Sequence, residues 1–210
     1  KLRESMVLGT AGFTAALCVE KLERMGAVPS DGPVIVTGAT GGVGSVAVAL
    51  LARAGYEVTA SSGKVGKTEY LKSLGAANVI GRDELQEESS RPMLSTSYAH
   101  GIDTVGGSIL SNVIKSLNHS GSVAICGLVA SPAFQITVLP FILRGVNVLG
   151  IDSVELPVDQ KTVTWNRLAS DWKLDSLDDM AQEIDLEGIS EAVDKIFAGQ
   201  ISGRTLVSHN

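Results

Sequence analysis

The sequence predicts an α/β fold, a doubly wound parallel sheet of six strands, and three observations carry that expectation. From Val34 onward, short β-branched runs alternate with helical stretches, the pattern that builds parallel sheets through right-handed crossovers. Glycine is abundant, 23 of 210 residues, and many glycines stand where a strand must turn into a helix or a helix must stop. The length suits one sizeable core plus a smaller remnant, because domains usually run roughly 100–200 residues.

Each element follows from local signals. Strands are expected at 34–37, 57–61, 78–80, 102–105, 123–127 and 146–151. Helices are expected at 43–54, at 67–74 stopped by Gly75, at 108–117 stopped before Gly121, and at 138–144 stopped by Gly145. Ahead of the first strand, 10–25 reads as one more helix, with Ala11, Ala15, Leu17, Val19 and Leu22 giving a broad apolar face. Beyond Ile151 the texture changes: 157–172 and 175–184 read as polar and helical, 188–199 as an amphipathic helix and 204–208 as a last strand. Trp165 and Trp172, on one expected helix, share a face suited to packing against another unit.

Composition narrows the class. With 44% hydrophobic and 19% charged residues the chain is globular rather than disordered. Its formal charge of -6 argues against a nucleic-acid partner, which selects for clustered Lys and Arg. Cys18 and Cys126 sit in apolar stretches, so buried thiols in a reducing, cytoplasmic setting are expected rather than a disulfide. His100, His119 and His209 are scattered and neither cysteine has a partner at ligand spacing, so no metal site is expected. No uninterrupted run of about 18 apolar residues occurs, and Lys1 to Ser5 lacks a signal peptide's apolar stretch, so no membrane partner is expected. The missing initiator methionine suggests an excerpt of a longer protein.

The chemistry-bearing motif is Thr37-Gly38-Ala39-Thr40-Gly41-Gly42-Val43-Gly44, at the end of one expected strand and the start of a helix. Glycines there permit a tight turn and let backbone approach a pyrophosphate, while the helix start offers unpaired N–H groups and a positive dipole end. The context makes the sheet a Rossmann-type dinucleotide fold. Two look-alikes fail. The T-G-x-x-x-G-x-G spacing of short-chain dehydrogenases also demands a Tyr with a Lys four residues on, and Tyr56, Tyr70 and Tyr98 are followed at that distance by Ala60, Leu74 and Ile102. Gly66-Lys67-Thr68 mimics the end of a P-loop whose opening glycine would have to stand at Ser61.

NAD-specific folds place a carboxylate at the end of the second strand, roughly 20 residues beyond the glycines, to hold the ribose 2′-OH. Here that place reads Thr59-Ala60-Ser61-Ser62-Gly63-Lys64, without an acid. Ser62, Lys64 and Lys67 offer hydroxyl and cationic partners for a 2′-phosphate, which favours NADP(H) over NAD, although lysines in a loop are by default simply solvated.

Further motifs carry a family resemblance. Gly9-Thr10-Ala11-Gly12-Phe13-Thr14-Ala15, the glycine turn, Ser62-Gly63-Lys64 followed by Tyr70-Leu71-Lys72-Ser73-Leu74-Gly75-Ala76, and Ile102-Asp103-Thr104-Val105-Gly106-Gly107 resemble the medium-chain dehydrogenase/reductase superfamily. Within it, Pro140-Phe141-Ile142-Leu143-Arg144-Gly145-Val146, Gly150-Ile151-Asp152-Ser153-Val154 and Gly203-Arg204-Thr205-Leu206-Val207 resemble the zinc-free branch of acrylyl-CoA reductases and putative quinone oxidoreductases. The resemblance implies NADPH-dependent reduction of a C=C bond conjugated to a carbonyl, with acrylyl-CoA or a similar 2-enoyl thioester as substrate and a homodimer at full length. It implies a coenzyme domain over 1–179 and a segment 180–210 that returns to a GroES-like catalytic domain otherwise absent from the chain.

Carried onto this sequence, the resemblance places Thr40, Gly41, Gly42, Val43 and Gly44 at the pyrophosphate, to which the glycine spacing adds Gly38, and Ser62, Gly63 and Lys64 at the 2′-phosphate, to which the loop's own chemistry adds Lys67. The family's cation at the place of Lys64 is commonly Arg, so the bidentate fork is lost there. Gly127 and Leu128, with Ile151, Asp152 and Ser153, would line the nicotinamide. No catalytic acid is assigned: Asp103 and Asp152 are candidates by position, but an Asp at a strand end more often caps a turn. A quinone or alkenal substrate, or a dinucleotide-binding module without chemistry of its own, stays open as an alternative.

Overall fold

Six strands, β1 (Val34–Thr37), β2 (Val58–Ser62), β3 (Asn78–Gly81), β4 (Tyr98–Asp103), β5 (Leu117–Ile125) and β6 (Asn147–Gly150), pair in a wholly parallel sheet of order β3-β2-β1-β4-β5-β6 in the computed structural model of the chain. The structure describes residues 1–64, 66–86 and 89–209. This order is the doubly wound arrangement whose direction reverses between β1 and β4, and the crevice at that switch point opens at the carboxyl ends of the strands.

Both faces of the sheet are covered, which is why the central strand reads Val-Ile-Val-Thr without polar alternation. Val34 and Val36 enter one core with Leu22, Leu50 and Leu51, under the helices α1 (Leu2–Arg24), α2 (Gly42–Arg53) and α3 (Thr68–Ser73). Ile35 points the other way, into a second core with Leu85 of α4 (Asp83–Gln86) and with Ile109, Val113 and Ile114 of α5 (Gly107–Lys115). Helix α6 (Leu139–Arg144) closes on an αL glycine, Gly145, and leads into β6.

Several sequence expectations need correction. The first helix begins at Leu2, not at 10, and is broken at Gly9, whose φ/ψ of 49°/-156° is not helical. It is long and apolar enough to cross a membrane by length and composition, yet 61% of its apolar window is buried on α2, β5 and the later α7 (Val158–Ala169), so it is a core helix. β4 runs over 98–103 instead of 102–105, because Asp103 gathers the following β-branched residues into a turn. β5 begins at Leu117 and ends at Ile125, before Cys126 and Gly127.

The tail differs more. Residues expected to be helical at 175–184 form a 3-10 turn and then β7 (Ala181–Ile184). It pairs in parallel with β8 (Arg204–Val207), joined by the amphipathic α8 (Ile189–Phe197), as a two-stranded sheet of its own. The tryptophans also pack inward rather than towards another unit. Trp165 stacks on Phe13 at 5.4 Å, and Trp172, beyond the end of α7, is buried with Arg167 3.4 Å over its ring.

Candidate functional site

The site is built at the carboxyl ends of β1 and β4. Thr37 Oγ1 donates to Asp103 Oδ1 at 2.6 Å, while Thr104 returns two bonds, N–H to Thr37 Oγ1 at 3.1 Å and Oγ1 to the Thr37 carbonyl at 3.0 Å. Asp103 Oδ2 accepts Gly106 N–H at 2.7 Å and Val105 N–H at 3.2 Å. Burial pushes this carboxyl above the usual range, against the opposing pull of those hydrogen bonds. Asp103 therefore organises a turn, and its oxygens are occupied by the chain itself. Asp152 has the same kind of role after β6: its Oδ1 accepts the N–H groups of Val154 at 2.8 Å and Glu155 at 3.1 Å.

The glycine turn rises from this base. Gly38 adopts φ 61°, Ala39 N–H donates to the Ser61 carbonyl at 3.0 Å and Gly41 N–H to the Gly38 carbonyl at 2.9 Å. α2 starts at Gly42 with glycine at its N-cap, so no side chain satisfies its first N–H groups. Gly44 packs so closely that a Cβ would stand 2.3 Å from the Gly38 carbonyl oxygen, which is the close helix–strand approach a dinucleotide cradle needs. The donors and the positive helix end suit a diphosphate.

The loop after β2 joins the turn through a contact of 3.0 Å between Thr40 Oγ1 and Ser62 Oγ, and Ser62 Oγ accepts Lys64 N–H at 3.1 Å. Ser62, Gly63, Lys64 and Lys67 line a cavity of about 210 Å³ together with Leu71, Val79 and Arg82. Burial, then the charge of Lys67, lowers the basicity of Lys64, whose Nζ donates to the carbonyl of Ile201. Gly127 lies against Thr104, Leu128 projects outward 64% exposed, and Ile151 N–H donates to the Ile125 carbonyl at 3.1 Å. Leu128, Ile151, Asp152 and Ser153 thus follow the carboxyl ends of β5 and β6, on the same edge as the turn.

Two arginines at the site carry no assigned role in the sequence reading. Arg204, on β8, donates its Nε to the Val7 carbonyl at 3.0 Å, and its Nη1 would stand 3.0 Å from a Cβ on Gly42. It is half-buried, which lowers its pKa, and takes no carboxylate partner among the described residues. Gly203 N–H donates to the Thr40 carbonyl at 2.9 Å, so the tail lies across the turn. Arg82 follows β3, where parallel pairing brings it beside Gly63. The signal for Arg82 was legible in principle, since the residues that follow two paired parallel strands lie side by side. Among the described residues no three His, Cys, Asp or Glu side chains are grouped to hold a metal ion.

Comparison with known proteins agrees with this geometry. The family model of zinc-binding dehydrogenases matches residues 42–169. The chain is 48% identical to a probable acrylyl-CoA reductase of Escherichia coli over 99% of its length and 64% of the relative's, and 44% identical to a putative quinone oxidoreductase of Bacillus subtilis over 98% and 63%. Two solved structures superpose closely. The E. coli YhdH protein with bound NADPH has a TM-score of 0.94 at 48% identity, covering 98% of this chain and 63% of that one. The B. subtilis YhfP protein with NAD bound has a TM-score of 0.95 at 44% identity, covering 99% and 64%. The chain thus spans just under two thirds of the length of these relatives. It belongs to the zinc-binding dehydrogenase family of the medium-chain dehydrogenase/reductase superfamily, on the branch of the acrylyl-CoA reductases and putative quinone oxidoreductases.

Proposed function

We propose that this chain is the coenzyme-binding part of an NADPH-dependent reductase of activated C=C bonds, with acrylyl-CoA or a similar 2-enoyl thioester as substrate. One observation carries the coenzyme assignment: the loop after β2 has no carboxylate for a ribose 2′-OH and instead sets Ser62, Lys64 and Lys67 around a cavity joined to the glycine turn through Thr40. NADPH, when bound, supplies a hydride for the β-carbon of the conjugated substrate. The chain's own residues bind and orient. The N–H groups at 42–44 and Arg204 hold the diphosphate, Ser62 and its cationic neighbours the 2′-phosphate, and Leu128 with Ile151, Asp152 and Ser153 the nicotinamide. No side chain is assigned as the proton donor for the substrate's α-carbon, because Asp103 and Asp152 both serve turns.

Residues 1–179 form the coenzyme unit in this reading, and 180–210 belong with a GroES-like catalytic unit in the longer protein. The separate β7–β8 sheet and the exposed Ile196 and Phe197 of α8 support that division. The full-length protein is expected to be a cytoplasmic homodimer without nucleic-acid or membrane partners, consistent with its acidic charge and two free thiols. A quinone or alkenal acceptor is the alternative favoured by the name of the B. subtilis relative.

The coenzyme reading is tested by fluorescence titration of the chain with NADPH and NADH, with clear NADPH preference expected and equal affinity refuting it. Steady-state assays of the full-length protein with acrylyl-CoA, crotonyl-CoA and a quinone test the substrate. Turnover confined to the quinone would replace the thioester reading.

A further inference from the structure

We propose that Cys18 and Cys126 form a redox site, a dithiol that hydrogen peroxide closes to a disulfide and whose closure weakens coenzyme binding. The first half concerns the thiols alone; the second rests on the coenzyme reading above.

Placement is the first argument. The two residues are far apart in sequence, yet α1 packs on β5, and Cys126, the residue after β5, leans on the core cluster that holds Cys18. There the two side chains hydrogen-bond one another, and both thiols are free. Cys18 is fully buried, whereas Cys126 is partly open at the carboxyl end of its strand, the edge on which the coenzyme crevice lies. Sulfur contacts thus run from the core to the base of the site, where Cys126 Sγ reaches the Asp103 carbonyl at 3.6 Å.

The second argument is that the two thiols differ. The hydrogen bond from Cys18 lowers the Cys126 thiol below the ordinary cysteine value, against burial and the charge of Asp103. The same bond, then burial, pushes the Cys18 thiol well up. Cys126 is therefore the nucleophile and Cys18 the resolving thiol. The Cys126 thiolate breaks the O–O bond of the peroxide and becomes a sulfenic acid, releasing hydroxide that takes up a proton as water. Cys18 sulfur then attacks the sulfenic sulfur, an S–S bond forms, and the departing hydroxyl leaves with the Cys18 proton as a second water. Two thiols lose two electrons, and one peroxide is reduced.

The consequence follows from how Cys126 is held. Its N–H donates to the Asp103 carbonyl at 3.0 Å, and the Ile125 carbonyl before it accepts Ile151 N–H at 3.1 Å. Gly127, after it, lies so close to the Thr104 carbonyl that no Cβ fits. A covalent S–S bond draws the sulfurs closer than a hydrogen bond holds them. Closure therefore pulls Cys126 towards α1, and the strain passes to Gly127 and to the Asp103–Thr104 turn under the glycine loop.

The test treats the intact, folded chain with hydrogen peroxide, then blocks remaining thiols with N-ethylmaleimide and measures intact mass and cross-linked peptides. Expected is the joint loss of both thiols, a mass lower by two hydrogens, a peptide pair joining Cys18 to Cys126, and full reversal by dithiothreitol. In Cys18→Ala, whose folding is checked by its melting temperature, Cys126 should instead gain oxygen; in Cys126→Ser, Cys18 should stay reduced at the same dose. NADPH titration should show affinity weakened roughly tenfold or more in the oxidised chain, restored by dithiothreitol, with no peroxide effect in Cys126→Ser. Wild type that keeps both thiols, or that oxidises Cys126 without joining it to Cys18, overturns the inference whether or not the variants fold. A disulfide that leaves NADPH affinity unchanged overturns its second half. If the reduced chain itself fails to bind NADPH, the coenzyme reading falls, while the thiol count still decides the redox pair.

Discussion

Replacing Gly44 with alanine would put a methyl group where only main chain fits. Its Cβ would lie 2.3 Å from the Gly38 carbonyl oxygen, 2.8 Å from the carbonyl carbon and 2.7 Å from Ala39 Cα. Ordinary van der Waals contact begins at 3.4 Å. The start of α2 would therefore have to retreat from β1 by about 1 Å, and no rotamer relieves the clash because alanine has none and the opposing atoms are backbone. Overpacking of this kind costs about 1–3 kcal/mol, and the unyielding partner places Gly44→Ala at the upper end. Alanine's better helix propensity returns up to about 1 kcal/mol, leaving a net loss of about 2 kcal/mol. For a chain of this size that lowers the melting temperature by roughly 4–8 °C. The displaced N–H groups should also weaken NADPH and NADH alike. Gly41→Ala is the matched control: its Cβ would meet the same carbonyl at 3.2 Å, at a φ of -78° that alanine adopts freely, so about 1 kcal/mol or less is expected. Thermal melts by circular dichroism and coenzyme titrations read both effects. A Gly44→Ala protein that melts and binds like wild type would refute the close-packing argument.

Arg204→Ala should weaken NADPH and NADH by the same factor, because its guanidinium lies at the start of α2, away from the 2′-phosphate cavity; a loss confined to NADPH would contradict that placement. Asp31 gives a pH signature. The N–H of Val28 at 2.9 Å, then His100 Nε2 at 3.0 Å, hold its carboxyl below the ordinary value. A carboxyl depressed in the folded state contributes stability that is complete above about pH 4 and is lost as pH falls through the folded value. Asp31→Asn should thus lower the melting temperature near neutral pH, with the gap narrowing below about pH 4; a gap constant across that range would argue against the assignment.

What the sequence revealed and what it hid divide along physical lines. β1 and α2 were legible because Val-Ile-Val-Thr must be a strand buried on both faces and the glycines that follow must turn. β4 was misplaced because Thr104 and Val105 look like strand residues, whereas the structure spends them on the turn that Asp103 caps; Tyr98 to Gly101, less apolar by eye, form the buried strand. β7 was read as helix because its four residues, Ala181 to Ile184, gain their strand character only from pairing with 204–207, about twenty positions later. Ser62 and Lys64 were found by adjacency to the second strand. Arg82 and Arg204 were not, because strand register and tail packing, rather than local spacing, deliver them to the site.

The bonds from Gly203 to Thr40 and from Arg204 to Val7 mean that the chain is sewn shut at its coenzyme mouth. Its opening helix and closing strand share one knot. Any pull on the last few residues, by a tag, a protease or spontaneous fraying, first parts Ser208 and β8 from β7 and then reaches the mouth, before it reaches the deep core.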